Sequence, residues 1–268
     1  MKITIIVDNY TTKSGFIAEH GFSALIETEQ QKILFDTGQG RALLHNLKIK
    51  SIDPKNIGTI VLSHGHYDHT GGIKPFSKKN NQFELFIHSA ALYPKYQITK
   101  ELKKNIGLKA NLSEFNTKFY VDPVEISPGI IYSGEIPKTN KWELTETIYY
   151  RKIKGKLEKD PFQDDVSLYI IADKGLVVLT GCAHSGIINI IQYGMEITGI
   201  NKLHGIIGGM HLKNASNKRI EQTVQLIASM NPEFVTISHC TGILPGIEFV
   251  KKIGERAIFT EVSSEFNF

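Results

Sequence analysis

The chain is poor in cysteine: 268 residues contain two, Cys182 and Cys240, which argues against a disulfide scaffold. It also lacks any apolar run near the roughly 20 residues that span a bilayer. The opening Met1-Lys2-Ile3-Thr4-Ile5-Ile6-Val7-Asp8 has no signal-peptide pattern and reads as a first strand, so the expectation is a cytoplasmic protein with no membrane partner. Charge of one sign is scarce as well. The formal net charge is +4, and no basic stripe interleaved with aromatics is present, which argues against a dedicated nucleic-acid binder. A mild positive balance fits a small anionic substrate. No internal repeat or low-complexity stretch appears, and the oligomeric state is not legible. What remains is an ordinary globular composition, 41% hydrophobic and 22% charged, enough for a sizeable core.

Apolar runs bounded by turn residues predict strands at Ile3 to Val7, Phe22 to Glu27, Lys32 to Phe35, Ile57 to Leu62 and Phe83 to His88. A helix is expected over Arg41 to Leu47 and another from about Gly71. Regular patterning returns with strands at Val166 to Ala172 and Leu176 to Leu179, joined by Asp173-Lys174-Gly175. Helices Ile187 to Ile197, Ala215 to Met230 and Ile243 to Ile253 then alternate with strands His204 to Ile207, Phe234 to Ile237 and Ala257 to Phe259. Each half begins with strands and continues with alternating helices; the early hairpins argue against a simple doubly wound parallel sheet. Between about 91 and 163 the chain is less regular, with strand-like pieces at Lys118 to Val121 and Thr145 to Ile153. It reads as an elaboration over a cleft on a single domain spanning 1–268.

The chemistry gathers at strand ends. Ile60-Val61-Leu62 runs into Ser63-His64-Gly65-His66-Tyr67-Asp68-His69-Thr70-Gly71-Gly72, which places His64, His66, Asp68 and His69 on one tight loop. Neutral imidazole and carboxylate suit zinc, iron or manganese. His88, His184 and His239 also close strands, and His211 lies just beyond one. Polar groups at strand ends converge on one rim, where α/β scaffolds bind ligands.

His64-x-His66-x-Asp68-His69 resembles the metal-binding signature of the metallo-β-lactamase superfamily. The resemblance implies an α/β, αββα sandwich with two mixed sheets flanked by helices, and one or two divalent ions, zinc first, with iron or manganese open. It implies one site of His64, His66 and His184 and a second of Asp68, His69 and His239, with Asp68 also a candidate to orient or deprotonate water. Ser238-His239-Cys240 matches the superfamily's final histidine. Where relatives carry a bridging Asp after a strand-Thr-Gly pattern, this chain has Cys182. Either His184 supplies the missing donor, which its place between a buried strand and a helix favours, or Asp164 or Asp165 supplies a carboxylate. Cys182 is a ligand, a neighbour of the metal or a small packing residue, and Cys240 reads as packing. Asp36, in Leu34-Phe35-Asp36-Thr37-Gly38, resembles the Asp that holds the histidine loop from behind, a role compatible with turn capping.

With Glu19-His20-Gly21, Thr180-Gly181-Cys182-Ala183-His184 and Gly208-Gly209-Met210-His211, these motifs are similar to the family containing the archaeal dihydropterin–ribofuranosylaminobenzene phosphate synthase. In that reading His20, His88 and His211 line the substrate side. The expected function is a metal-dependent hydrolase of a small, phosphate-containing anion by metal-activated water. The alternatives are a synthase-like transferase, joining a pterin diphosphate to an aromatic amine ribose phosphate, and a non-catalytic metal or ligand binder.

Overall fold

The apolar runs become the inner strands of two mixed sheets, each in its own compact unit of the chain. The computed structural model describes residues 1–144 and 148–268. One unit comprises Met1–Tyr120, Glu146–Asp164 and Glu261–Phe268; the other comprises Val121–Thr145 and Asp165–Thr260.

In the first unit a seven-stranded sheet runs Glu265–Asn267, Lys2–Val7, Ser23–Glu27, Lys32–Phe35, Thr59–Val61, Glu84–Ile87, Asn116–Phe119. Its first four strands pair antiparallel and the rest parallel. Thr59–Val61 lies between two parallel neighbours and is wholly buried, which explains its unbroken apolar run. Helices Leu43–Ile49 and Ile73–Ser77 cover one face through Leu43, Leu47, Ile73 and Phe76, packed with Ile6, Leu34, Ile60 and Leu85. The helix expected from about Gly71 starts earlier: a single turn, Tyr67–Thr70, forms inside the histidine loop, and the second piece begins at Ile73.

The second unit repeats the pairing plan. Its sheet runs Val124–Ser127, Ile130–Tyr132, Ser167–Ala172, Gly175–Thr180, Leu203–Gly208, Phe234–Ile237, Ala257–Phe259, antiparallel over the first four and parallel beyond. Helices Ile187–Thr198, Asn217–Ser229 and Ile243–Ile253 bury Ile187, Ile190, Ile191, Val224, Ile227 and Phe249 against Val178, Ile206 and Val235. The two halves read from the sequence are therefore two sheets with the same order of pairing.

The 91–163 segment is more regular than its composition suggests. It contributes the first two strands of the second unit's sheet and, in the first unit, an antiparallel sheet of Lys156–Lys159, Tyr149–Ile153, Lys95–Ile98 and Lys103–Asn105. These strands are short and almost wholly exposed or half-exposed, too brief for alternation to register. Of the strand expected over Thr145 to Ile153, the described part is Tyr149–Ile153, and Thr145 to Thr147 lie outside the described residues.

A buried charge pins this small sheet. Lys95 is 1% exposed, and its Nζ donates to Asp160 Oδ2 at 2.5 Å and Asp164 Oδ1 at 2.8 Å. Burial works against the ammonium, but Asp164 and Asp160 together hold its pKa above the ordinary lysine value. Lys95→Met would leave two buried carboxylates without a counter-charge, so a loss of about 3–5 kcal/mol is expected, read as a fall in urea midpoint at unchanged slope.

Candidate metal centre

The histidine loop of the first unit is assembled from behind by the turn after Lys32–Phe35. Asp36 has a left-handed backbone, φ 59°, a conformation Asp tolerates better than most residues. Its buried carboxylate accepts the Ser63 N–H at 2.7 Å and the Ser63 hydroxyl at 2.6 Å, and Oδ2 lies 2.6 Å from His69 Nδ1. Ser63 Oγ in turn lies 2.8 Å from His64 Nδ1. Both His64 and His69 are thus tethered through Nδ1, which leaves Nε2 as the ligand atom, the way metal-binding histidines are oriented. Thr37 donates its N–H (2.7 Å) and its hydroxyl (2.8 Å) to the His69 carbonyl.

The donor atoms of this loop converge. His64 Nε2 and His66 Nδ1 are 3.0 Å apart, and the His64 and His69 ring centroids are 4.2 Å apart. Asp68 Oδ2 lies 3.7 Å from His69 Nε2 and 3.3 Å from the exposed His20 Nε2. Burial, followed by the charge of Lys95, pushes the His66 pKa down to about 3, so its imidazole is neutral and ligand-competent at ordinary pH. Gly65 is required between the two histidines because a Cβ there would meet the Ala91 carbonyl at 2.5 Å.

Asp164 takes a different place from the ligand role considered for it. Its Oδ1 receives Lys95 Nζ, and its Oδ2 accepts the Gly65 N–H at 2.8 Å, so it fixes the loop backbone between His64 and His66. Burial favours its neutral form, but Lys95 outweighs this and holds the carboxyl below the usual range. The Lys95–Asp164 link was not legible as a site feature, because neither residue sits in a motif. His88 Nδ1 accepts the Ala90 N–H at 3.1 Å, capping the turn Ser89–Leu92; that nitrogen serves the backbone.

In the second unit Cys182, His184, His211, His239 and Cys240 form a second gathering of donors. The ligand atoms of Cys182, His184 and His211 lie within 4.8 Å of one another, as do those of Cys182, His239 and Cys240. His184 and His211 ring centroids are 4.3 Å apart. Ala183, His211 and His239 all have left-handed backbones, φ 60°, 48° and 47°, a clustering of strained residues typical of functional turns. Asp165 accepts the Ser185 N–H at 2.6 Å and so supports the turn that carries His184; burial pushes its pKa up to about 6. Cys240 Sγ accepts the His211 N–H at 3.3 Å and lies 3.6 Å from the Cys182 carbonyl.

In the first unit the donors are imidazole and carboxylate, in the second imidazole and cysteine sulfur. That set, together with the Nδ1-tethered imidazoles and the close approach of His64 and His66, fits a borderline divalent ion of the zinc, iron or cobalt type and not magnesium or calcium.

Residues 17–194 match the family model of the metallo-beta-lactamase superfamily. A Methanocaldococcus jannaschii protein named 7,8-dihydropterin-6-methyl-4-(beta-D-ribofuranosyl)-aminobenzene-5'-phosphate synthase is 34% identical over 95% of this chain and 92% of its own. An uncharacterized protein of the same organism is 37% identical over 90% of each chain. The solved structure of a metal-dependent hydrolase of the beta-lactamase superfamily aligns with a TM-score of 0.88 at 28% identity, covering 100% of this chain and 99% of that one. Among the described residues no helix is long and apolar enough to cross a membrane. With its mixed sheets flanked by helices and its histidine loop at the end of a buried strand, the chain belongs to the metallo-β-lactamase superfamily.

Proposed function

We propose that the protein is a metal-dependent hydrolase of small, phosphate-containing anions. The observation that carries this reading is the histidine loop, where Asp36 and Ser63 hold His69 and His64 by Nδ1 and burial keeps His66 neutral. In this reading the metal-holding residues are His64, His66, Asp68 and His69 of the first unit and His184 and His239 of the second, for one or two divalent ions. Zinc is the first choice, with iron or manganese as the alternatives. When bound, such ions supply hydroxide near neutral pH and neutralise charge on the leaving oxygen.

The chain's own groups do the rest. Asp68, beside His20, orients the attacking water and can take its proton. A cation stands over the same loop: Lys104 Nζ donates to Tyr67 Oη at 3.0 Å and sits 4.6 Å from the Tyr67 ring centroid, one residue from His66 and one from Asp68. We assign it to the phosphate group of the substrate. His20 and His211 are the further substrate-side candidates; His88, with Nδ1 capping a turn, offers Nε2 alone.

A second reading is favoured by one comparison, the 34% identity over 95% of the chain to a protein named as a synthase. There the same residues would bind a pterin-bearing anion and an aminobenzene ribofuranosyl phosphate, and activate a leaving group instead of water. A panel of phosphomonoesters, phosphodiesters, thioesters and β-lactams, run beside the two synthase substrates with metal-replete protein, separates the readings. Hydrolysis lost in His64→Ala is the expected outcome. Product formed from the paired substrates alone would replace the hydrolase reading with the synthase one, and full metal occupancy without any turnover would favour a binder.

Two further outcomes are expected. Asp36→Asn removes the carboxylate behind His69 and Ser63, and metal affinity measured by competition with a chromophoric chelator should fall about 10–100-fold. Lys104→Ala should raise KM for a phosphate substrate roughly tenfold at little change in kcat, the loss of one charge-assisted hydrogen bond worth about 1.5 kcal/mol; an unchanged KM would remove Lys104 from the substrate side.

A further inference from the structure

Helix Ile243–Ile253 is apolar on two sides. Phe249 and Ile253 face inward and join the core of the second unit. Ile243, Leu244, Ile247 and Val250 face outward, 72%, 75%, 40% and 41% exposed. Their spacing, i, i+1, i+4 and i+7, places them on one stripe of the helix. The apolar surface continues onto the edge strand Ala257–Phe259. Phe259 is half-exposed there and lies against Gly246, where a Cβ would meet its ring at 2.7 Å. Surface aliphatics scattered singly are ordinary, but a contiguous patch marks an interaction site.

Beside the stripe a groove of about 780 Å³ runs between this helix and Asn217–Ser229, lined by Ile220, Val224, Leu244 and Ile247. Charges of both signs rim it, Glu221 and Glu248 against Lys251 and Lys252. Glu248 pairs with Lys251 of its own helix at 2.8 Å, with both side chains well exposed, so water screens the pair and it contributes little where it stands. The occupant follows from this composition. A polyanion or an acidic peptide would be met by lysines alone, and an apolar segment of another protein would use the groove and leave the ridge of Ile243 and Leu244 uncovered. A surface that carries a ridge, a groove and both signs of charge is complementary to itself, and a two-fold axis sets such a surface against its own copy.

We propose that this face is the interface of a homodimer. Ile243 and Leu244 of each copy enter the groove of the other, and Glu248 of each faces Lys251 across the two-fold axis. Such an interface has an apolar centre with a charged rim, the arrangement of a specific protein contact. The proposal does not depend on which reaction the protein catalyses.

Sedimentation velocity on the full-length protein, from about 1 to 100 μM to span moderate and weak association, tests it. The wild type should sediment at twice the chain mass and dissociate on dilution. Leu244→Glu should weaken the dimer at least tenfold; circular dichroism and the thermal midpoint should stay unchanged, because the side chain is largely in water in the single chain. Glu248→Lys and Lys251→Glu should each weaken self-association, and an equimolar mixture of the two should recover the dimer mass, since the mixed pair restores opposite charges across the axis. A wild type that stays monomeric throughout, a closed assembly larger than a dimer, a dimer untouched by Leu244→Glu, or a mixture that stays as weak as its components would overturn the proposal.

Discussion

The interaction on which the first unit's chemistry depends is the buried carboxylate of Asp36. It accepts from Ser63 twice and lies 2.6 Å from His69 Nδ1, and Ser63 passes the restraint on to His64. A carboxylate removed from water is costly unless its lone pairs are filled, so the turn after Lys32–Phe35 and the loop after Thr59–Val61 cannot form independently. The charge-assisted bonds that satisfy Asp36 are the same bonds that select Nε2 as the donor atom of two histidines. Folding and preorganisation are in this sense one event: the loop reaches its low-energy state only with its imidazoles already aimed.

Lys95 does the same work from the opposite direction. Its ammonium holds Asp164, and Asp164 holds the Gly65 N–H between two of the histidines. The short sheet that carries Lys95 is therefore part of the scaffold of the loop. The electrostatic effect is consistent with the structural one, since the Lys95 charge adds to burial in keeping His66 neutral, the form in which imidazole binds a metal.

Most of the fold was legible because its strands are fully buried and its turns are punctuated. Ile60-Val61-Leu62 and Leu176 to Leu179 stand out as apolar runs that end in Ser63 and in Thr180-Gly181, and the histidines follow at once. The histidine loop and the Asp36 turn were readable for the same reason, as polar groups set on the ends of buried strands. Three features resisted. The helical turn Tyr67–Thr70 is four residues long and carries ligand candidates in place of an apolar stripe, so periodicity says nothing there. The Lys95–Asp160–Asp164 group joins residues far apart in sequence within a segment too short in its strands to show alternation. The capping role of His88 looks, in sequence, like any other strand-end histidine, because what distinguishes it is a backbone N–H two residues on.

The two sheets share one order of pairing, yet their parallel ends carry different donors. The first unit presents hard and borderline groups, three imidazoles and the Asp68 carboxylate. The second presents imidazoles around a sulfur, with the Asp165 carboxylate withdrawn to hold the Ser185 N–H. A fold of this superfamily does not by itself dictate water attack or group transfer; that depends on the groups set on it. Cys182, buried at the end of Gly175–Thr180 beside His184 and His211, is where the donor set of the second unit departs from the all-imidazole-and-carboxylate set of the first.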